Sequence, residues 1–382
     1  MIKIDIFISN FGNLGAQRVA INMANFLKSF YEVNFVVLDM NGPFKNYLMN
    51  DINIINLSAK NFNIPKIRVF TRALAYSNYV KTNKTNIAIS FSPITNFYII
   101  FAKFYNRRLK TIIQEHAYPS IALKDRGNAS LLYQLFFKHF LVKFYNKTDI
   151  FITIANAIKE DFINNYNVRS NLIRIVRNPL DIHNINTLKN EEIDDFVFNK
   201  EKKYLIGVGR LSTQKNFKRL IDIFSKVYKI NKKVELIILG DGSLYNYLKD
   251  YSTKLGLKNK IHLLGFKPNP YKYIAKSDIF CLTSDWEGLP QVIAETMICR
   301  TLIIAHKCKS GPEEMISNNE TGMLVEYDDI DDFANKIIFS LEHQQEIQMI
   351  VENAYKFATN EYSLENIGSK YLEIIEELNK KK

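Results

Sequence analysis

Twelve short apolar, β-branched runs, each followed by a stretch of helical periodicity, constrain this chain more than any other feature. In the first half they fall at 2–9, 33–38, 52–57, 86–92, 110–114 and 149–155, and in the second at 203–208, 234–239, 260–265, 278–283, 301–306 and 322–326. Runs such as YLIGVG and ELIILG are apolar throughout, as strands covered on both faces must be. Strands alternating with helices predict βαβ units and parallel sheets. Six strands per half predict an α/β chain of two Rossmann-like, doubly wound domains. The 382 residues exceed one ordinary core. The Pro and polar residues of RNPLDIHN interrupt the pattern and mark the seam. The expected domains are therefore 1–178 and 179–362, with 363–382 an amphipathic helix returning toward the first. The charged segment 187–202 reads as an exposed lead into the second domain.

Bulk properties narrow the class. With 47% hydrophobic and 24% charged residues the composition is that of an ordered globular chain. No apolar run reaches the roughly 18 residues of a membrane span, and the start, MIKIDIFIS, enters a strand pattern directly. Three cysteines (Cys281, Cys299, Cys308) without CxxC spacing disfavour a disulfide framework or zinc site and suit a reducing cytoplasm. The net charge of +12 is lopsided: residues 1–178 carry 23 Lys and Arg against 9 Asp and Glu, while the remainder is slightly acidic. A basic half suits an anionic membrane surface, nucleic acid, or solubility alone.

In open α/β sheets ligands bind beyond the carboxyl ends of the strands, so the loops there should carry the chemistry. After YLIGVG, Arg210 and Lys215 lie in the loop and first helical turn, where two cations and free amides suit a diphosphate; a solvated basic loop is the plainer alternative. LGDGS is an incomplete glycine motif and reads as a tight turn. In LLGFKPNPY, Gly265 and Phe266 stand at a strand end where a flat base could rest.

The stretch DWEGLPQVIAETM places Glu287 and Glu295 eight positions apart around a helix start, with Pro290 suited to its first turn. The amides of Gln291 and Val292 would face an anion. Glu295 would lie about 7 Å along the axis at ~1.5 Å per residue. A nucleotide sugar lying along this helix would set its sugar hydroxyls at Glu287 and its ribose at Glu295, since ionised carboxylates accept paired hydroxyl hydrogen bonds. Alone, the stretch equally suits an acidic helix N-terminus that opposes the helix dipole.

GVGRLSTQKN, LGFKPNPY, EGLPQVIAE and the paired six-strand halves resemble the retaining glycosyltransferases of family four, which have the two-domain GT-B fold with a central cleft. The resemblance implies donor binding in the C-terminal domain. Arg210 and Lys215 would hold the diphosphate, Glu287 the sugar and Glu295 the ribose, with Leu289, Gln291 and Val292 of the helix start beside them. NFGNLGAQRVAINMA is similar to the family's first loop, in which Gly12 and Gly15 allow close backbone approach; Gln17 departs from the usual Glu and Leu14 from a frequent Gly. QEHAYPS puts His116 where family members often have a cleft histidine, with Glu115 an acceptor-side candidate. KCKSGPEEMI resembles a glycine-containing donor loop with Ser310, Gly311 and Glu313.

The resemblance implies transfer from a UDP-sugar with retention by front-face attack, which asks for positioning and charge stabilisation. No metal is expected, since Arg210, Lys215 and helix amides can serve the leaving diphosphate. The acidic clusters Asp194–Asp195 and Asp328–Asp332 read as solvated helix starts. LLYQLFFKHFLVKFYNK mixes apolar residues with Lys138, Lys143 and Lys147, and KFYNRRLK adds an aromatic–basic cluster; a buried core helix and interfacial docking both fit the former. With the basic half, these favour a polyisoprenyl-diphosphate-linked glycan acceptor at the cytoplasmic membrane face. GFKPNPYKYIAK and KSGPEEM also resemble bacterial N-acetylgalactosaminyltransferases that extend undecaprenyl-diphosphate-linked oligosaccharides, which implies UDP-GalNAc as donor. The rival readings are a UDP-sugar 2-epimerase of the same fold and a basic nucleic-acid-binding protein. No helix-turn-helix or base-stacking motif supports the latter, and no full GxGxxG supports a nicotinamide enzyme.

Overall fold

The computed structural model describes residues 2–12, 15–57, 68–116, 118–122, 142–308 and 311–380. Two compact units divide the chain: Met1–Pro179 with Leu364–Lys382, and Leu180–Ser363.

The first unit is a parallel sheet of β1 (Lys3–Ile8), β2 (Glu32–Val37), β3 (Asn53–Asn56), β4 (Ile87–Ser90), β5 (Lys110–Glu115), β6 (Ile150–Thr153) and β7 (Ile173–Ile175) in the order β3-β2-β1-β4-β5-β6-β7. Ile6 sits opposite Phe35 on one side and Ile89 on the other, all fully buried. β7 is a seventh strand that the sequence pattern does not show. It is three residues long, and its middle residue, Arg174, is tied to Glu377 of the chain's last helix (3.3 Å). An isoleucine pair flanking a charge is too short a signal to count as a run.

That last helix, Leu364–Lys380, buries Ile367, Tyr371, Ile374, Ile375 and Leu378 along one stripe. It packs on the helix Gly15–Lys28 within the first unit. The approach is close enough that a Cβ at Gly368 would come within 2.3 Å of the Phe26 ring. Tyr371 also donates its hydroxyl hydrogen bond to Gln114 at the end of β5. The tail from Leu364 thus belongs to the first unit's core.

The second unit contains β8 (Lys203–Val208), β9 (Val234–Leu239), β10 (Ile261–Gly265), β11 (Ile279–Leu282), β12 (Leu302–His306) and β13 (Met323–Val325), again parallel, ordered β10-β9-β8-β11-β12-β13. In each sheet the winding reverses next to the unit's first strand, between β1 and β4 and between β8 and β11. Loops leaving paired strands at such a reversal diverge, and the crevice they leave is where doubly wound sheets bind ligands. For the second unit those loops are the ones that follow β8 and β11.

The segment 187–202 is less free than its charge suggests. Asp195 pairs with Lys267 and accepts from the Tyr273 hydroxyl, and Asn269 donates to Leu188 O (2.8 Å) and Glu191 (2.9 Å). Asp194–Asp195 is therefore not a helix start. Its neighbours are non-helical, and Asp195 tethers the segment to the helix Tyr271–Lys276. Asp329, by contrast, caps the helix Ile330–Glu342 by accepting from Asp332 N (2.9 Å).

Candidate active site

The loop after β8 is held against those after β9 and β10 by backbone hydrogen bonds. Gly209 N donates to Leu239 O (2.9 Å), Leu211 N to Asp241 O (2.9 Å) and Gly240 N to Gly265 O (2.8 Å). The glycines of LGDGS make this nesting possible rather than a simple turn. A Cβ at Gly240 (φ 140°) would stand 1.9 Å from Gly209 O, and one at Gly242 would stand 2.3 Å from Leu211 O. Gly209 in turn lets the Lys215 stem lie across its backbone, 3.1 Å from where a Cβ would be. Phe266 follows Gly265 with 62% of its surface exposed, open to a flat ligand group.

Across the reversal, the loop after β11 is clamped to the loop after β8. Arg219, buried in the helix Phe217–Ile230, donates to Thr283 O (3.0 Å) and pairs with Asp285 (2.7 Å) and Asp328 (2.8 Å). Its guanidinium also lies 4.8 Å from the Tyr327 ring centroid. Asn216, in the left-handed region, caps that helix by accepting from Arg219 N (3.2 Å) and donates to Asp285 (3.0 Å). Gln214 closes the seam from both ends: its carbonyl accepts from Asp285 N (2.8 Å), and its side chain donates to Trp286 O (3.0 Å). None of Arg219, Gln214, Asn216, Asp285 or Tyr327 stands out in the sequence, because each acts through a partner far along the chain. Burial pushes the nearby His306 imidazole down to about 4, helped by the charge of Arg219, so it is neutral at physiological pH.

The clamp sets two predicted site residues against each other. Lys215 Nζ lies 2.6 Å from Glu287 Oε1, with the carboxylate side chain only 6% exposed and the lysine 17%. Ser284 donates to the same oxygen at 2.6 Å. The sequence separates Lys215 and Glu287 into diphosphate and sugar roles; the structure makes them one ion pair. Arg210 is exposed and makes no side-chain hydrogen bond or ion pair among the described residues. Pro290 precedes the helix Gln291–Cys299 rather than opening it. Gly311 (φ 95°) packs beneath this turn, where a Cβ would meet Pro290 Cδ at 2.6 Å. Leu289 is buried, and Gln291 and Val292 are half-buried at the helix start. One turn further on, Glu295 accepts from the Tyr271 hydroxyl (3.3 Å). Glu313 is exposed in the turn Pro312–Met315, and Ser310 lies outside the described residues.

In the first unit, Gly15 opens the helix Gly15–Lys28 and is exposed. His116 follows β5 with its ring 6.2 Å from that of Phe91; burial lowers its pKa to about 4, against the opposing effect of a hydrogen bond it donates to Asn178. Glu115, expected on the acceptor side, is turned into the unit's interior. It is 4% exposed and accepts hydrogen bonds from Asn96 (2.8 Å) and the Tyr145 hydroxyl, and burial raises its pKa to about 7. Lys143 is exposed, and Lys138 lies outside the described residues.

Comparison with known proteins matches this architecture. A family model described as Glycosyltransferase Family 4 matches residues 14–184, and one described as Glycosyl transferases group 1 matches residues 189–357. Two Campylobacter jejuni enzymes are similar over most of the chain. The N-acetylgalactosamine-N,N'-diacetylbacillosaminyl-diphospho-undecaprenol 4-alpha-N-acetylgalactosaminyltransferase is 28% identical, covering 86% of this chain and 87% of its own. The GalNAc-alpha-(1->4)-GalNAc-alpha-(1->3)-diNAcBac-PP-undecaprenol alpha-1,4-N-acetyl-D-galactosaminyltransferase is 26% identical over 99% of both. The crystal structure of Anabaena Alr3699/HepE in complex with UDP-glucose superposes with a TM-score of 0.78 at 20% identity, covering 99% of this chain and 100% of that one. The two models together span most of the chain, which is a family-four-like glycosyltransferase with the GT-B fold. It is a glycosyltransferase enzyme of the kind that builds glycans and polysaccharides.

Proposed function

We propose that the enzyme transfers N-acetylgalactosamine, or a related hexose or N-acetylhexosamine, from its UDP-sugar to a polyisoprenyl-diphosphate-linked glycan, with retention, at the cytoplasmic membrane face. The observation that carries the reading is the Lys215–Glu287 pair, fixed at the winding reversal beside exposed Arg210 and the start of the helix Gln291–Cys299. A donor entering there meets an ammonium and a guanidinium for its diphosphate and a carboxylate for its sugar hydroxyls. The paired state keeps both charges satisfied until it arrives. Glu295 and Phe266 suit the ribose and base. The names of the two Campylobacter relatives support the lipid-linked acceptor and the sugar, and the UDP-glucose complex of the Anabaena protein supports the donor class.

In this reading the acceptor hydroxyl attacks the anomeric carbon on the face from which the diphosphate departs. The new glycosidic bond forms as the bond to the diphosphate breaks, and the diphosphate takes the acceptor's proton. The protein thus supplies charge and position rather than a dedicated base. His116, neutral at pH 7, offers the acceptor side a hydrogen-bonding nitrogen. Arg210, Lys215 and helix amides carry the electrostatic load without a metal. EDTA is accordingly expected to leave turnover unchanged; loss restored by Mg²⁺ would reject that part.

The decisive assay pairs a panel of UDP-sugars with an undecaprenyl-diphosphate-linked glycan. The expected result is an α-linked product and a melting temperature raised selectively by UDP-GalNAc. Epimerised nucleotide sugar formed without acceptor would point instead to the 2-epimerase reading.

A further inference from the structure

The first unit carries an exposed aromatic ridge bordered by cations. Phe104 and Tyr105, the last residues of the helix Pro93–Tyr105, are 52% and 65% exposed. Beside that helix runs the helix Arg68–Asn83, which exposes Phe70 (46%) and Leu74 (43%). Buried Phe97 joins them: its ring lies 6.2 Å from that of Phe70, 5.9 Å from Phe101 and 5.5 Å from Phe144. Phe101 then touches Tyr105 (5.2 Å), and Phe144 touches Phe104 (5.7 Å). Three segments distant in sequence thus converge on one surface, a juxtaposition that only folding creates.

Cations border the ridge. Arg107, Arg108, Lys143 and Lys147 are exposed next to it, whereas Lys103 is already paired with Asp149 (2.5 Å). No Asp or Glu occurs in residues 68–83, 93–110 or 142–148. Aromatic rings at a helix end, followed at once by arginines, fit the boundary between acyl chains and headgroups: the rings enter the boundary while guanidinium groups meet lipid phosphates. A protein partner would need specific pairing that a border of cations alone does not provide.

We propose that this ridge, Phe70 and Leu74 with Phe104, Tyr105, Arg107 and Arg108, is the surface by which the enzyme docks on an anionic lipid bilayer. The proposal deepens the membrane-face reading above: it keeps the aromatic–basic cluster of residues 103–110 and joins to it Phe70 and Leu74 of the neighbouring helix.

The test uses the full-length protein and vesicles of phosphatidylcholine alone or with one quarter phosphatidylglycerol. Wild type is expected to co-sediment with the anionic vesicles and only weakly with the neutral ones, and added salt should lower its partition. Arg107→Gln/Arg108→Gln should lower the partition coefficient about tenfold or more, at ~1 kcal/mol per surface cation. Phe104→Ser/Tyr105→Ser should lower it even at raised salt. All four sites are exposed, so the arginine variant should keep the wild-type melting temperature. The aromatic variant gives up its ring contacts with Phe101 and Phe144, and both should keep the UDP-induced rise. Wild-type co-sedimentation by both variants, equal binding to neutral vesicles, or no binding by wild type would overturn the proposal. Self-association abolished by Phe104→Ser/Tyr105→Ser, without vesicle binding, would replace it with a contact between copies. The readout needs no sugar transfer, so the docking surface and the assigned reaction fail independently. An enzyme that binds vesicles through these residues but transfers nothing would spare this proposal and sink the other.

Discussion

The two units share one winding pattern yet handle buried charge in opposite ways. In the second, carboxylates at the strand ends face cations: buried Glu287 meets Lys215, and half-buried Asp285 meets Arg219. In the first, Asp5 and Glu115 are as deeply buried but receive hydrogen bonds from hydroxyls and amides, namely Thr85 (2.9 Å), Asn34 (3.2 Å), Tyr76 (3.2 Å), Asn96 and Tyr145. Burial therefore raises their pKa values to about 6 and about 7. The surfaces reverse the contrast. The first unit carries 27 Lys and Arg against 13 Asp and Glu, the second 24 against 26. The second unit spends its ionic contacts on fixing a site, where preorganised charge acts most strongly on an anionic ligand. The first leaves its cations on the outside, where they act on a partner's field.

The largest effect expected from this contrast is at Lys215. Lys215→Ala removes a cation from the leaving group and strands Glu287 in a buried position. Turnover should fall on the order of 10²–10³-fold, as for loss of a preorganised electrostatic group, while Lys143→Ala on the other unit should leave soluble-acceptor turnover at wild type. Steady-state kinetics on both variants decides; equal losses would erase the distinction. Next is Arg219→Leu, which leaves Asp285 and a carbonyl unpaired in the clamp. Removing one partner of a fully buried pair costs about 3–5 kcal/mol. Asp285 is half-buried, so denaturant unfolding should show a drop toward the lower end of that range, with a raised KM for donor as the 283–287 loop loosens.

The third concerns pH. A carboxyl whose folded pKa is raised from 4.5 to about 7 binds its proton more tightly in the folded state. Its stabilising contribution is complete below pH 4.5 and is lost as pH rises through 7. Glu115→Gln removes that dependence, so the stability of wild type relative to the variant should grow as pH falls from 7 to 4.5. His116 titrates in the opposite sense but is present in both chains and cancels in the difference. A pH-independent gap would show that Glu115 is ionised in the folded protein. The smallest effect is at Phe266: Phe266→Ala forfeits ring stacking of about 0.5–1.5 kcal/mol, a 2- to 10-fold rise in KM for the UDP-sugar with little change in kcat.

The strands were legible because strands covered on both faces must be apolar, and apolar runs survive without knowledge of their neighbours. β7 was not, since Ile-Arg-Ile is too short to show a period and its arginine is bound by a residue 203 positions away. Arg210, Lys215 and Glu287 were legible as residue types at loop positions, and Glu295 by its spacing along the helix that follows. The Lys215–Glu287 pairing, the Arg219 clamp and the burial of Glu115 were not. On the page Arg219 is one more helix cation beside Lys218, and Glu115 one more charge beside a histidine.

The order of apolar runs and the loop chemistry that follows each strand are local properties, and the sequence determined them: two doubly wound units with the reactive residue types at their carboxyl ends. Which charges meet, which are buried with neutral partners, and which aromatic rings from separate helices share one surface depend on contacts between residues tens to hundreds of positions apart. Those contacts exist only once strand order and helix packing bring distant side chains within a few ångströms, so tertiary structure alone decided them.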